Sequence, residues 1–269
     1  MHTVRQPAVA GAFYPGNRQV LSNEIETFLN AATAADFSHT TPKAIIVPHA
    51  GYIYSGQTAA NAYARLVSGR KTIKRVILLG PVHRVPVRGL ALPDADAFAT
   101  PLGEVELDQL AIASLSHLNQ VVISPAAHAL EHSLEVQLPF LQTVLDDFTL
   151  VPLAVGDATP AEVAEVLDTL WGGPETLIVI SSDLSHFLPY AVAQTVDRET
   201  VQNILSMKDT LTHHQACGGT PVNGLVLAAK RHHLKPTLLD LCNSGDTAGD
   251  KSRVVGYASL MFAEETGNA

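Results

Sequence analysis

Four short, unbroken apolar runs constrain this chain more than any other feature. They are Ile45–Val47 in KAIIVPHAGY, Val76–Leu79 in IKRVILLGPVHR, the run inside FTLVPLAVGD, and Leu177–Ile180 in ETLIVISSDLSH. None alternates apolar with polar residues, so none suits a strand with one wet face. Runs of this kind belong to strands covered on both sides. Segments of helical periodicity separate them. In NRQVLSNEIETFLNAATAA the residues Leu21, Ile25, Phe28 and Leu29 recur at helical spacing. SGQTAANAYARLV is Ala-rich, with Ser55 placed to cap it. Leu107 to His117, PAEVAEVLDTLW, DRETVQNILSM and PVNGLVLAAKRHH read as further helices, and NQVVIS as a strand. PTLLDLCNSGD and SRVVGYASLMF read as strands near the end of the sheet. The alternation predicts an α/β chain: a single domain over residues 1–269, built as a three-layer α/β/α sandwich with a largely parallel central sheet.

Two stretches add detail. From Val87 to Leu107 the turn signals Pro-Asp and TPLG predict a hairpin excursion. HALEHSLEVQLPFLQTVL predicts one helix from about Glu131, kinked at Pro139.

Composition excludes several classes. The formal charge is -9 with no long basic run, so nucleic acid is not an expected partner. Apolar residues make up 46% and charged residues 16%, which suits a globular enzyme and not a disordered chain. The opening MHTVRQPAVAGAFYPG lacks the pattern of a secretory leader, and no apolar stretch has the length of a membrane span. Two cysteines, Cys217 and Cys242, cannot build a disulfide framework. A reducing cytoplasm is the expected compartment, with no membrane partner.

The strand ends carry the chemistry. Ile45–Val47 runs into Pro48-His49-Ala50-Gly51, Val76–Leu79 into Gly80-Pro81-Val82-His83, and Leu177–Ile180 into Ser181-Ser182-Asp183-Leu184-Ser185-His186. The carboxyl ends of parallel strands share one edge, where ligand crevices form. If these strands are neighbours, His49, His83, Asp183 and His186 converge. Imidazoles with a carboxylate suit Fe, Zn, Cu or Ni and leave positions open for substrate or O2. On the expected helix, His132 and Glu135 share a face and stand in or near the site, while Glu131 reads as an acidic residue complementing the helix dipole. CNSGDTAGDKSR offers Asp246 or Asp250 as a carboxylate, or is a solvated turn. Cys217, in ACGGTP, is either a small buried apolar residue or a site thiol.

Read in order, RQPAVAGAFYPG, VPHAGYIYSG, LLGPVHR, TPLGEVELD, EHSLEVQLPFL, ISSDLSHF and SGDTAGDKSRVVGYASL resemble the Memo family, in particular the prokaryotic members labelled AmmeMemoRadiSam system protein B. The motifs run from Arg5 to Leu260. The resemblance implies a LigB-like fold shared with class III extradiol dioxygenases, in which two His and one acidic residue hold Fe(II). It places His49 and His83 on the two His-ligand positions. It also places Asp183, His186 and His132 along the pocket. Eukaryotic relatives have a cysteine as third ligand; aligning back from GYAS puts Thr247 there, beside Asp246. Asp246 is taken as the third metal ligand, with Thr247, Asp250 or a cysteine as alternatives. The implied activity is that of a dioxygenase-like oxidoreductase on a small molecule. His186 or His132 would act as general base and then acid, and Asp183 would orient a ring. The implied cofactor is a divalent metal, Fe(II) first, with Zn or Cu as alternatives. A binding module for a phosphorylated or other anionic peptide is the second implied reading, though only Arg84 lies beside the motifs. The label also implies radical SAM and AMMECR-type partner proteins.

Overall fold

The computed structural model describes residues 2–32 and 41–264. In chain order the elements are β1 (Val4–Arg5), α1 (Arg18–Ala32), β2 (Ala44–Val47), α2 (Tyr52–Tyr63), β3 (Arg75–Pro81), β4 (Leu90–Leu92), β5 (Ala97–Thr100), β6 (Gly103–Glu106), α3 (Gln109–Ser114), β7 (Val121–Ile123), α4 (Pro125–Ala129), α5 (Leu138–Val144), β8 (Thr149–Val155), α6 (Pro160–Leu170), β9 (Thr176–Ser181), β10 (His186–Leu188), α7 (Tyr190–Leu205), α8 (Gly219–Arg231), β11 (Leu234–Asn243) and β12 (Val254–Glu264). The main sheet runs β10-β12-β2-β9-β3-β8-β4-β7, with β11 paired to β12. Its centre, β2-β9-β3-β8, is parallel throughout, while the flanking β12, β10 and β11 run antiparallel. Among the described residues no helix is long and apolar enough to cross a membrane.

The unbroken apolar runs are explained by alternation. Ile45 and Val47 enter one core, while Ala44 and Ile46 enter the other. Val76 and Leu78 are divided from Ile77 and Leu79 in the same way, as are Leu177 and Val179 from Ile178 and Ile180. Successive side chains leave opposite faces of a strand, so a strand between two cores must be apolar at every position. Leu21 and Ile25 of α1, Tyr63 of α2 and Leu141 of α5 cover one face. Val163 and Leu167 of α6, Val201 of α7 and Leu225 of α8 cover the other. Each such fully buried aliphatic side chain stabilises the fold by about 1.5–3 kcal/mol. The α/β, three-layer expectation therefore holds.

Register fixes where the strands stop. Val47 lies opposite Ser181, Leu79 opposite Ile180, and Pro81 opposite Val155. The residues following β2, β3 and β9 thus emerge along one edge. The expected hairpin is β5–β6, which joins β1 in a separate three-stranded sheet.

Two local expectations are corrected. Helix α2 begins at Tyr52 with Gly51 at its cap, and Ser55 instead donates to the carbonyl of Ala50. The single helix expected from Glu131 is absent. A short α4 ends at Ala129, a turn follows, a 3-10 turn spans Glu135–Gln137, and α5 starts at Leu138. The Glu131 carboxylate causes the break by accepting hydrogen bonds from the N–H groups of His132 and Ser133, a local alternative to helical bonding. Pro139 sits in the first turn of α5, where its missing N–H has no cost.

Candidate metal centre

His49 follows β2 and is held at two points. Its N–H donates to Asp183 Oδ1 at 2.7 Å, its Nδ1 lies 2.9 Å from Ser181 Oγ, and the residue is buried. The surrounding bonds fix the tautomer. Ser181 Oγ donates to the Ser133 carbonyl at 2.6 Å, and Gln137 Nε2 donates both to Ser181 Oγ and to the Pro48 carbonyl. Ser181 has already used its only proton, so His49 Nδ1 carries the hydrogen and donates it. The lone pair is then on Nε2. Burial, reinforced by nearby His83, pushes the imidazole down to about 3, so the ring is neutral.

His83 follows β3 and is oriented by Glu131. Its Nδ1 lies 2.8 Å from Glu131 Oε1, and its N–H donates to Oε2 at 2.6 Å. A carboxylate facing Nδ1 makes that nitrogen the donor and leaves the lone pair on Nε2. Burial alone would raise the Glu131 carboxyl, but the bonds from His83 and the Ser133 N–H together outweigh it and bring it down to about 2. The carboxylate therefore stays charged, in the arrangement that orients and enriches metal-binding imidazoles elsewhere.

His132 completes the group. Its ring stacks on that of His83 with centroids 4.7 Å apart and meets that of His49 edge-on at 5.4 Å. One nitrogen from each of His49, His83 and His132 lies within 4.8 Å of the others. Burial, then His49, holds His132 down at about 4. Phe13 packs on its ring at 4.8 Å. The His83 side chain remains 28% exposed and that of His132 17%, so the cluster opens to solvent on their side. Three clustered imidazoles, two with Nδ1 engaged by hydrogen bonding so that Nε2 is the free ligand atom, are a donor set that can hold a metal ion.

The other expected residues fall in different places. Asp183 is buried beside the cluster and binds the backbone of His49, not a ring; burial raises its carboxyl above the usual range. His186 lies on β10 and is not one of the three clustered imidazoles. Asp246 does not join the three imidazoles. Its carboxylate accepts from the Tyr190 hydroxyl and from the Asn243 N–H, closing the 3-10 turn Ser244–Asp246. Thr247 donates to the Ser244 carbonyl, and Asp250 accepts from Ser252 in an exposed turn. Glu135 faces away from His132. It accepts from Arg5, from the N–H groups of Ala8 and Val9, and from Tyr14, and so ties down the N-terminal segment. His128, buried on α4, bonds the Ala91 carbonyl. Cys242 contacts Thr58, whereas Cys217 Sγ lies 3.3 Å from His49 Nε2.

Three residues that build the site were not singled out for it in the sequence: Glu131, Ser181 and Gln137. Glu131 had a signal, since it directly precedes a candidate imidazole. Ser181 is the last residue of its strand, opposite Val47. Nothing in the spacing pairs Gln137 with either.

Related proteins carry this chain's pattern along its full extent. A MEMO1 family protein of Sulfurisphaera tokodaii is 36% identical over 97% of this chain and 100% of its own length. One of Aquifex aeolicus is 36% identical over 96% of this chain and 99% of its own. Among solved structures, the uncharacterized protein JW3007 from Escherichia coli K12 matches with a TM-score of 0.52 at 15% identity, covering 82% of this chain and 99% of that one, a likeness of fold alone. Residues 5–261, which include every residue of the imidazole cluster and its hydrogen-bonded supports, match the family described as Memo-like protein. On these grounds the chain belongs to the Memo-like protein family.

Proposed function

We propose that this chain is a metal-dependent, dioxygenase-like oxidoreductase acting on a small molecule, with Fe(II) held by His49, His83 and His132. The observation that carries the reading is the pair of Nε2 lone pairs on His49 and His83, fixed by Ser181 and Glu131, with a third imidazole within 4.8 Å. The bound ion would supply a Lewis-acidic, redox-capable centre that engages a chelating substrate and dioxygen.

The chain's own residues would do the rest. The exposed flank of His83 and His132 is the side from which a substrate enters. His186 would take a proton from a substrate hydroxyl and return it to the product, the usual service of a positioned imidazole. Asp183 would hold the His49 backbone so that Nε2 keeps its aim. Phe13, packed on His132, would shield one wall from water.

The test is anaerobic loading with Fe(II), followed by metal analysis of wild type, His49→Ala and His83→Ala. Retention by wild type and loss in both variants is the expected result; equal retention in all three would refute the site. Oxygen uptake with a panel of catechols then tests the reaction. Metal bound but no uptake across the panel would favour binding of an anionic ligand without turnover.

A further inference from the structure

We propose that Cys217 opposes metal binding: its thiol occupies the lone pair of His49 Nε2 in the metal-free chain and must release it before an ion binds. This regulation of the imidazole cluster rests on the metal-binding reading above. Cys217 Sγ lies 3.3 Å from His49 Nε2, within hydrogen-bonding reach for sulfur. His49 carries its hydrogen on Nδ1, toward Ser181, so Nε2 can only accept. The thiol is therefore the donor. An imidazole nitrogen of this kind has one lone pair, so a thiol hydrogen and a metal ion exclude each other there.

The sulfur competes with the cluster instead of joining it. Ligand atoms of His49, His83 and His132 lie within 4.8 Å of one another, and Cys217 is outside that group. An ion shared by the three imidazoles therefore takes the His49 lone pair away from the thiol.

A second acceptor for the thiol is already in place. The Asp183 carbonyl lies 3.7 Å from Sγ, so the S–H can turn to it while the backbone stays still. That backbone is fastened to the end of β9 twice, by the Cys217 N–H on the Asp183 carbonyl at 3.2 Å and by the Gly218 N–H on Ser182 Oγ at 2.9 Å. A Cβ on Gly218 would lie 2.6 Å from Ser182 Cβ, so glycine is what allows this approach. The turn of the thiol makes no bond to sulfur and transfers no electron. Its effect is on occupancy: the apparent affinity for metal falls with the fraction of molecules in which the thiol has turned away.

Infrared spectroscopy of the full chain tests this without any assay of turnover. Cys242→Ser leaves Cys217 as the single thiol. In the metal-free protein its S–H stretch should stand at the lowered frequency of a hydrogen-bonded thiol. On saturation with Zn(II) the band should persist and move up, because a near nitrogen acceptor is exchanged for a more distant carbonyl. Loss of the band would mean a deprotonated sulfur on the metal and would overturn the proposal, as would a band that stays unmoved while Zn(II) binds. Cys217→Ala should bind Zn(II) about two- to tenfold more tightly than wild type and take it up faster, with Cys242→Ala unchanged. Equal or weaker binding by Cys217→Ala would overturn the opposing role and leave the imidazole site standing. Failure of wild type to take up Zn(II) would remove the metal reading and this one with it. The two infrared spectra are decisive even if Cys217→Ala does not fold.

Discussion

His83 and Glu131 hold each other at two points: the ring Nδ1 is 2.8 Å from one carboxylate oxygen, and the backbone N–H is 2.6 Å from the other. One side chain thus sets both the position of the strand-end loop and the tautomer of its imidazole. Glu131→Gln keeps the shape and removes the charge. Its expected effect is a fall in Zn(II) or Co(II) affinity of about 10–100-fold with the fold retained. Glu131→Ala also deprives the His132 and Ser133 N–H groups of their acceptor, at an expected cost of about 2–5 kcal/mol. Calorimetric titration and denaturant melts measure the two effects; unaltered affinity in Glu131→Gln would contradict the orienting role.

Ser181 makes a prediction about His49. Long-range proton–nitrogen NMR of the metal-free chain should find the His49 hydrogen on Nδ1, because Ser181 has no proton left to give it. Ser181→Ala should destabilise the fold by roughly 1–3 kcal/mol, since it strands the Ser133 carbonyl and a Gln137 donor in the interior. A hydrogen observed on Nε2 in wild type would contradict the derivation.

Acid should destabilise the protein before its carboxylates are protonated. His128 donates from Nε2 to the Ala91 carbonyl and has no partner on Nδ1. Burial holds it down at about 4, against 6.5 for a free imidazole. Between those values the unfolded chain binds more protons than the folded one, so stability is full above pH 6.5 and falls as pH drops toward 4. The loss from this group is up to roughly 3 kcal/mol. His132 and His49, also held low, act in the same direction. Denaturant melts at pH 7 and pH 4.5 should show a smaller difference for His128→Gln than for wild type.

Arg5 should matter far beyond its position near the chain start. Its guanidinium pairs with Glu135 and donates to the carbonyls of His128 and Glu131, with almost all of both side chains buried. Removing either charge leaves the other buried alone, at a cost of about 3–5 kcal/mol. Arg5→Lys preserves the charge but not the fork that reaches three acceptors. It should lower the melting temperature and, by loosening the Glu131 turn, weaken metal binding. Wild-type behaviour of Arg5→Lys in both measurements would refute the coupling.

The sequence by itself determined the layered α/β fold, because a strand between two cores must be apolar at every position and each of the four central strands is written that way. It also set His49 and His83 just past the ends of two such strands, which converge only if the strands are neighbours; that adjacency came from the structure, where β2 and β3 both pair in parallel with β9. Only the tertiary structure decided which donors join them. The helical pattern through EHSLEVQL was overridden because a carboxylate can bond its own following N–H groups. That choice turned His132 toward the cluster and Glu135 toward Arg5. Asp246, adjacent in the motif, was drawn off by a capping bond and a tyrosine hydroxyl. The network that fixes the tautomer of His49 joins residues 49, 133, 137 and 181 from three separate parts of the chain. Such a network depends on distances in space that no spacing along the sequence encodes.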